Sequence, residues 1–382
     1  MPALTPDLKD KLLTALEQVE HRLSMAKFKV KDSLNLLEPI NIMPYYGFGN
    51  KHYVYVKGRV LEDEKVKQPK AGDSVLTHLK DTYKRFESDE IPGVRVKASF
   101  AGQEVEVVTD EEGYFDVEFR PDTAIDYSTT GNKIKLQLLD PKTEKDRLEA
   151  EAYVFAPGTE VEFGIISDID DTVLVSNIKD FVGRLRLTLM KNATERSPFP
   201  GVAGFFRALC KGSDGKGRNP LFYVSGSEWN LYDLLISFFH SHDIPEGPLL
   251  LRDKGTRLDR GDFETSEEEY KLEKIRHILD TFPYLRFICL GDSGEHDPEI
   301  YQKVVQEYPG RVLGIYIRDV TPDGRDKEVR SIAEQVKAQG VEMELVEETL
   351  TAAKHAVKMG WINEEQLEDV RQACEADEGQ EN

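Results

Sequence analysis

Cysteine is scarce in this 382-residue chain, and long apolar runs are missing from it. The three cysteines, Cys210, Cys289 and Cys374, are odd in number and far apart, which argues against a disulfide framework and against a paired-cysteine metal site. No apolar run approaches the ~18 residues of a membrane span, and the N-terminus lacks the basic and apolar regions of a signal peptide. We therefore expect a cytoplasmic protein without a transmembrane span.

Basic residues are also fewer than acidic residues. Fifty Lys and Arg residues face 71 Asp and Glu residues, which gives a formal net charge of −21. A field of that sign repels phosphate backbones and argues against nucleic-acid binding through a broad basic face. Apolar residues make up 39% of the chain, enough for folded cores rather than a disordered chain. At roughly 150 residues per domain, the length predicts two or three domains.

The hydrophobic period changes along the first part of the chain. Leucine and valine recur every three to four residues over 8–23, which predicts an amphipathic helix. From about residue 53 to 161 the period is two, as in 105–107, 115–119 and 134–138, which predicts half-buried strands. The turn residues between the first two of these strands predict a hairpin. The whole segment is expected to form a small antiparallel β-sandwich.

A Pro-Gly-Thr sequence at 157–159 separates this segment from a different pattern. Buried strands alternate there with helices, which indicates an α/β architecture with a parallel sheet whose chemistry gathers at the carboxyl ends of the strands. We predict an accessory domain over 1–160 and a catalytic domain over 161–382. The predicted strands are 163–167, 221–224, 287–290 and 312–317, and the predicted helices include 228–240 and 267–281.

Three carboxylates in four residues follow the first of these strands, in Ser167-Asp168-Ile169-Asp170-Asp171-Thr172. Like charges at the end of a buried strand need a compensating cation, and a hard ion with oxygen ligands, most simply Mg²⁺, meets that need. The alternative is an exposed acidic turn in which Asp171 or Thr172 caps the next helix. The buried strand before the turn favours the metal.

Two further strand ends carry polar groups. Ser225-Gly226-Ser227 can hold a phosphoryl oxygen with hydroxyl and backbone N–H groups, although a Ser-Gly turn is often a turn alone. Another strand ends with the carboxylates of Asp292 and Asp297, in Gly-Asp-Ser-Gly-Glu-His-Asp. Lys271 and Lys274 lie on the predicted helix upstream, and each is a solvated surface residue unless it reaches the phosphate.

In this order, Asp-x-Asp-x-Thr, a strand-end serine, a lysine and Gly-Asp-Ser with a later aspartate resemble the haloacid-dehalogenase-like phosphatases. Over 161–361 the chain resembles, more narrowly, the phosphatidate phosphatase catalytic-domain family, which is first known from a yeast actin-patch protein and is widespread in bacteria. The resemblance implies a haloacid-dehalogenase-like doubly wound parallel sheet, preceded by the N-terminal helix and the β-sandwich. The motifs that carry it are Ile-Ser-Asp-Ile-Asp-Asp-Thr-Val, Ser-Gly-Ser-x-Trp-Asn-Leu-Tyr-Asp-Leu, Gly-Asp-Ser-Gly-x-His-Asp-Pro-Glu-Ile-Tyr and Ile-Tyr-Ile-Arg-Asp-Val.

The resemblance also implies roles for the reacting groups. Asp168 matches the nucleophile, and Asp170 matches the general acid and base. Ser225, Gly226 and Lys271 match the groups that bind phosphate.

A metal site is implied as well, formed by Asp168, Asp292 and the backbone carbonyl of Asp170. Asp297 and Thr172 would support the site. Arg252 and Arg318 are further candidates for contacts with the anion, and each is equally well explained as a surface arginine. Glu228 departs from the family, whose members commonly carry proline there, and this bears on the geometry of the loop and on substrate preference.

The expected function is Mg²⁺-dependent hydrolysis of a phosphate monoester through an aspartyl-phosphate. Phosphatidate or a related lipid phosphate is the expected substrate, reached by peripheral contact with a membrane. Two alternatives stay open. One is a phosphatase of a soluble phosphorylated metabolite, favoured by the negative charge and by the lack of a lipid anchor. The other is a catalytically inactive binding or scaffold protein.

Overall fold

The computed structural model describes residues 39–62, 90–141, 143, 145–158, 160–173, 199–252, 266–320 and 324–380. The helix predicted over 8–23 lies outside these residues. Two sheets organise the described chain, an eight-stranded mixed sheet followed by a six-stranded parallel sheet. Among the described residues, no helix combines the length and the apolar character needed to cross a bilayer.

The mixed sheet is built around one apolar core, to which alternate side chains such as Val56, Val96 and Val117 contribute. Its strands pair in the order β1-β3-β2-β8-β7-β4-β5, and β6 also pairs with β3. One short helix, α1 (Tyr127–Thr130), lies between β6 and β7. The strands are β1 (Ile40–Pro44), β2 (Gly47–Gly49), β3 (Val54–Glu62), β4 (Arg95–Phe100), β5 (Gln103–Val108), β6 (Tyr114–Phe119), β7 (Lys133–Leu138) and β8 (Glu149–Phe155).

Two predictions about this region are wrong. β5 and β6 do not form a hairpin, because β5 pairs with β4 whereas β6 pairs with β3. The region is not a purely antiparallel sandwich, because β2 lies parallel to β8 within one mixed sheet. The sequence of β2 is Gly-Phe-Gly and has no alternating apolar pattern. A Cβ on Gly47 would lie 2.4 Å from the carbonyl oxygen of Tyr55, so glycine allows this close approach.

The parallel sheet has the strand order β11-β10-β9-β12-β13-β14, and each neighbouring pair is parallel. Its strands are β9 (Gly164–Ser167), β10 (Leu221–Glu228), β11 (Leu249–Arg252), β12 (Phe287–Asp292), β13 (Val312–Arg318) and β14 (Glu342–Val346). The helices are α2 (Val202–Lys211), α3 (Tyr232–Ser241), α4 (Glu267–Thr281), α5 (Asp297–Glu307), α6 (Asp326–Lys337), α7 (Thr349–Lys358) and α8 (Glu364–Gln380).

Helices cover both faces of this sheet. Ile165 packs in the core shared with α2, α3, α7 and α8, and its neighbour Ile166 packs in the core shared with α4, α5 and α6. Successive side chains of a strand point to opposite faces, so strands buried on both faces have continuous apolar sequences. The four predicted strands and the helix predicted over 267–281 are confirmed. The helix predicted over 228–240 instead begins with a 3₁₀ turn and becomes α-helical at Tyr232.

The fold class that the resemblance implies is nevertheless wrong. In place of a haloacid-dehalogenase-like doubly wound sheet preceded by a small antiparallel sandwich, the described chain has an eight-stranded mixed sheet and a separate six-stranded parallel sheet. The difference lies in strand pairing, which depends on contacts between distant segments such as β2 and β8 and which local periodicity does not encode. The division of the chain at residue 160 into two domains stays a prediction.

The mixed sheet packs against the parallel sheet through aromatic side chains. The Tyr45 ring centre lies 5.1 Å from that of Trp229 and 4.1 Å from that of Tyr232. The Phe48 ring centre lies 5.7 Å from that of Phe222 on β10. Aromatic pairs at these distances add to the free energy of burial. The contact therefore fixes the mixed sheet beside the chain that follows β10.

Candidate active site

A buried lysine lies at the ends of two neighbouring parallel strands. Lys271, in the second turn of α4, is only 3% exposed. Its Nζ lies 2.8 Å from Oδ1 of Asp168, 2.6 Å from Oε2 of Glu295 and 3.0 Å from Oδ1 of Asp297. Asp168 follows β9, and Asp292 ends the adjacent β12. We call these five residues the carboxylate–lysine cluster.

The loop after β12 holds Asp292 in place. The backbone N–H groups of Gly294 and Glu295 donate to Oδ1 of Asp292 at 2.6 and 2.9 Å. The backbone N–H of Asp292 donates to Oδ2 of Asp297 at 3.1 Å. A Cβ on Gly291 would lie 2.4 Å from that same Oδ2, so glycine is required for the Asp297 carboxylate to approach the strand. Gly291 therefore makes room for the Asp297 carboxylate, and the backbone N–H groups of Gly294 and Glu295 hold the Asp292 carboxylate.

Burial raises the pKa of the carboxyl groups in the cluster. It raises the pKa of Asp168 well above its usual range, even though Lys271 acts in the opposite direction. Burial and the charges of Asp297 and Glu295 raise the pKa of Asp292 to about 8. Burial also raises the pKa of Asp297, again against the effect of Lys271.

The ammonium group responds to the same surroundings. Burial by itself would lower the pKa of Lys271, but the neighbouring carboxylates, Asp168 first, raise this pKa well above its usual range. Lys271 is therefore charged at neutral pH. One ammonium is shared among four carboxyl groups, so a further cation at this point would favour their ionised forms.

The cluster contains oxygen atoms that no described protein group satisfies. Oδ2 of Asp168 and Oδ2 of Asp292 are buried, and neither has a hydrogen-bond partner among the described residues. One oxygen from each of Asp168, Asp292 and Glu295 lies within 4.8 Å of the other two. Leaving buried carboxylate oxygens without partners is unfavourable, and hard divalent cations such as Mg²⁺ bind such oxygens. The residues present fit an oxygen-ligated cation.

Asp170 belongs to a second group of side chains, at the end of β10. Oγ of Ser227 donates to Oδ2 of Asp170 at 3.0 Å, and Oγ of Ser225 lies 3.4 Å from the same oxygen. The backbone N–H of Ser227 donates to Oγ of Ser225 at 3.0 Å. Asp171 has a φ of 53°, in the left-handed region, so the chain turns directly after Asp170. Two hydroxyl groups thus orient this carboxylate.

Three of the other predicted residues lie around this second group. Gly226 lies against α4, where a Cβ would come 2.0 Å from Oε1 of Glu267. Thr172 is buried, and its Oγ1 has no hydrogen-bond partner within the described chain. Arg252 ends β11, where its backbone pairs with Glu228 on β10.

Arg318 and Lys274 lie in other surroundings. The guanidinium carbon of Arg318 lies 4.0 Å from the centre of the Phe199 ring, and Nη2 donates to Oγ1 of Thr349 at 3.0 Å. Burial lowers the pKa of Arg318 to about 10. Nζ of Lys274 lies 5.1 Å from the centre of the Tyr270 ring. In the part of the chain that the structure describes, neither cation forms an ion pair with the carboxylate–lysine cluster.

Two members of these groups were missed by reasoning from the sequence. Glu295 lies between the predicted Asp292 and Asp297, and Ser227 is the second hydroxyl of the predicted Ser-Gly-Ser motif. Both were within motifs that the sequence analysis singled out. A further carboxylate or hydroxyl inside a strand-end motif is the signal that would have identified them.

Together the two groups form an acidic site that fits a cation and offers hydroxyl groups at the carboxyl edge of a parallel sheet. Residues 163–319, which contain all of its members, match the family model described as phosphatidate phosphatase APP1, catalytic domain. Phosphatidate phosphatase APP1 of Saccharomyces cerevisiae is 31% identical over 155 residues, which cover 41% of this chain and 25% of that protein. The family resemblance drawn from the motifs is confirmed, and for this segment it supports a phosphatase.

Two other similarities are weaker. An uncharacterized protein of Schizosaccharomyces pombe is 28% identical over 255 residues, which cover 65% of this chain and 38% of that protein. The matched parts therefore span 25% and 38% of the two fungal relatives. Among solved structures, a carbohydrate acetylesterase from Xanthomonas citri is similar at 11% identity and a TM-score of 0.27, over 78% of this chain and 66% of that chain. A similarity at that level supports no conclusion about fold or function.

Proposed function

We propose that this protein is a Mg²⁺-dependent phosphatase that hydrolyses a phosphate monoester through an aspartyl-phosphate on Asp168. One observation carries the proposal. Within the segment that matches the phosphatidate phosphatase catalytic domain, Asp168 contacts the buried Lys271 and lies beside Asp292, whose buried Oδ2 has no partner among the described residues. The proposed nucleophile, the ammonium group of Lys271 and carboxylate oxygens without partners therefore lie together at one point.

In the first step, one carboxylate oxygen of Asp168 attacks phosphorus, while the other oxygen remains available to Lys271 and the cation. The new oxygen–phosphorus bond forms as the ester bond breaks, and Asp170 gives its proton to the leaving alkoxide. Lys271, Ser225 and the backbone N–H of Gly226 hold the phosphoryl oxygens and stabilise the charge that develops on them.

In the second step, the Asp170 carboxylate takes a proton from a water molecule. The water oxygen attacks phosphorus, the bond to Asp168 breaks, and inorganic phosphate leaves. Asp170 is then protonated again and Asp168 is again a carboxylate, so atoms and charges balance over the cycle. The hydrogen bond from Ser227 keeps Asp170 oriented through both steps.

Asp168, Asp292 and Glu295 would hold the Mg²⁺ ion, and its positive charge would offset the repulsion between the nucleophile and the phosphate ester. This ligand set includes Glu295, which the sequence-based set of Asp168, Asp292 and the Asp170 carbonyl does not. The role of the Asp170 carbonyl and the supporting roles of Thr172, Asp297, Arg252 and Arg318 stay predictions.

The proposed substrate is phosphatidate or a related lipid phosphate, reached by peripheral contact with a membrane. The description of the matching family supports this choice. A soluble phosphorylated metabolite is the second candidate, since a net charge of −21 disfavours approach to an anionic membrane surface. The cytoplasmic location and the lack of nucleic-acid binding stay predictions from the sequence.

Phosphate release tests the proposal, with phosphatidate in mixed micelles and with p-nitrophenyl phosphate, each with Mg²⁺ or excess EDTA. We expect Mg²⁺-dependent release from both, with the higher kcat/KM on phosphatidate, and none from Asp168→Asn. Asp122→Asn, an exchange of the same type at an exposed position, is the matched control. Release from the soluble ester alone would replace the lipid substrate, and release from neither would favour a binding protein.

A further inference from the structure

We propose that Arg325 is a positioning residue. It holds the peptide group between Ser293 and Gly294 so that Asp292, within the carboxylate–lysine cluster, keeps Oδ2 available to a cation. The inference rests on the function proposed above. Arg325 lies one residue before α6 and outside the segment 163–319 that matches the family model. No motif in the sequence draws attention to it.

The guanidinium group of Arg325 joins the loop after β12 to two helices. Nη1 donates to the backbone carbonyl of Ser293 at 3.2 Å and to that of Glu295 at 2.5 Å. Nη2 pairs with Glu299 on α5, and Nε pairs with Oε2 of Glu328 on α6 at 3.2 Å. A planar group with five donors can make all these contacts at once, whereas a lysine ammonium cannot reproduce their geometry.

The carbonyl contact determines where the next N–H points. The C=O of Ser293 and the N–H of Gly294 belong to one trans peptide, so they point in opposite directions. The C=O points to Arg325, and the N–H donates to Oδ1 of Asp292 at 2.6 Å, the shorter of the two backbone contacts with that oxygen. With Oδ1 occupied by two N–H groups, Oδ2 of Asp292 is the oxygen left to bind a cation.

The start of the same loop is fixed independently by the end of β13. The backbone N–H of Ser293 donates to the carbonyl of Arg318 at 2.9 Å, and the backbone N–H of Val320 donates to Oγ of Ser293 at 3.1 Å. These contacts hold residue 293 but not the peptide that follows it. Arg325 supplies the contact on the outer side of that peptide.

The experiment compares Arg325→Met and Arg325→Lys with Arg330→Met. Arg330 lies on α6, its side chain is 68% exposed, and its nearest ion-pair contact is Asp326 at 3.8 Å, which makes it the matched control. Three quantities are measured: hydrogen exchange of the peptide 291–297 in cation-free protein, Mg²⁺ affinity by isothermal titration without substrate, and kcat and KM for p-nitrophenyl phosphate over a range of Mg²⁺ concentrations.

For Arg325→Met we expect faster exchange confined to 291–297 and a Mg²⁺ affinity lower by about 10- to 100-fold, as when groups that orient metal ligands are removed. We expect kcat to fall by a similar factor at low Mg²⁺ and to recover partly at high Mg²⁺, with KM changed by less than about twofold. Arg325→Lys should lie between Arg325→Met and wild type. Arg330→Met should match wild type in all three measurements.

Equal exchange and equal Mg²⁺ affinity in Arg325→Met and Arg330→Met would overturn the proposal. If Arg325→Met does not fold, Arg325→Lys and Glu299→Gln decide by the same measurements, and wild-type exchange in Arg325→Lys would overturn it. Failure of the proposed function is recognised separately. Wild-type protein that binds Mg²⁺ but hydrolyses no ester would refute the phosphatase, whereas the exchange and affinity comparisons would still test Arg325.

Discussion

Two groups of acidic side chains in the parallel-sheet region have similar compositions and opposite surroundings. The carboxylate–lysine cluster is buried at the carboxyl edge of the sheet. The other, Glu342, Glu344 and His355, which we call the His355 group, lies on the edge strand β14 and on α7, with one ligand-type atom from each residue within 4.8 Å of the others. Its two glutamate side chains are 38% and 45% exposed.

The hydrogen bonding of the two groups differs as much as their burial. Nε2 of His355 lies 2.8 Å from Oε2 of Glu342, and Nδ1 lies 2.9 Å from Oη of Tyr316, so both ring nitrogens have partners. The hydrogen bond with His355 lowers the pKa of Glu342, whereas burial raises the pKa of Asp168 and of Asp292. Acidic composition alone therefore does not distinguish the two groups; the buried carboxylate oxygens without partners among the described residues, present in the carboxylate–lysine cluster, do.

The largest expected difference between the two groups concerns activity. Asp168→Asn should lower phosphate release by at least about a thousandfold, which corresponds to roughly 4 kcal/mol of barrier, because an amide is a poor nucleophile. Glu344→Gln should leave kcat within about twofold of wild type. Steady-state rates, with circular dichroism as the folding control, check both. Activity of Asp168→Asn above a thousandth of wild type would remove Asp168 from the nucleophilic role.

The next largest effect is on stability. Lys271→Met removes the ammonium group that several buried carboxyl groups contact. The free energy of unfolding should therefore fall by about 3–5 kcal/mol at pH 8. The loss should be smaller at pH 5, where the Asp292 carboxyl, whose pKa is about 8, is protonated and neutral. Urea unfolding at both pH values measures the effect. An equal loss at both would show that Lys271 contributes packing rather than charge.

The pH dependence of the cation-free protein tests Asp292 directly. Its folded-state pKa of about 8 lies above the usual value of 3.8, so the folded state binds this proton more tightly than the unfolded state. Its contribution to stability is fully present below about pH 4 and is lost as the pH rises through about 8. The unfolding free energy of wild type relative to Asp292→Asn should therefore decrease between pH 5 and pH 8.

Adding Mg²⁺ provides a control for the comparison of wild type with Asp292→Asn. At pH 8, Mg²⁺ should raise the unfolding midpoint of wild type, because a ligand that binds the folded state stabilises it, and should raise that of Asp292→Asn much less. Glu342→Gln should respond to Mg²⁺ like wild type. If the free energies of unfolding of wild type and Asp292→Asn changed equally with pH, this would contradict the raised pKa of Asp292.

The smallest effect is expected in the His355 group. His355→Gln should lower the free energy of unfolding by roughly 0.2–1 kcal/mol, the range for partly exposed ion pairs, and should leave activity and Mg²⁺ affinity unchanged. Because the folded-state pKa of Glu342 is lowered, its contribution is present above about pH 4.5 and is lost as the pH falls through the folded pKa. A loss of Mg²⁺ affinity in His355→Gln would make this group a second cation site.

Local pattern was sufficient to locate four of the six strands of the parallel sheet, β9, β10, β12 and β13, and the polar residues at the ends of three of them, whereas β11 and β14 were not predicted. An apolar run buried on both faces has to stop where the strand leaves the core, so Asp168, Ser225 and Asp292 could be assigned to the sheet edge from their positions after such runs. The motifs around them also identified the family that residues 163–319 match.

Contacts between distant segments were decided by the tertiary structure alone. Lys271 and Lys274 are three residues apart on one helix, and only the packing of α4 against the sheet brings Lys271 to the carboxylates and leaves Lys274 over a tyrosine ring. Glu295 contacts Lys271, which lies 24 positions earlier in the chain, and Arg325 contacts the loop after β12 from the start of another helix. Hydrophobic periodicity reports which face of an element is buried; it does not report which elements meet, because that choice depends on the packing of the whole chain.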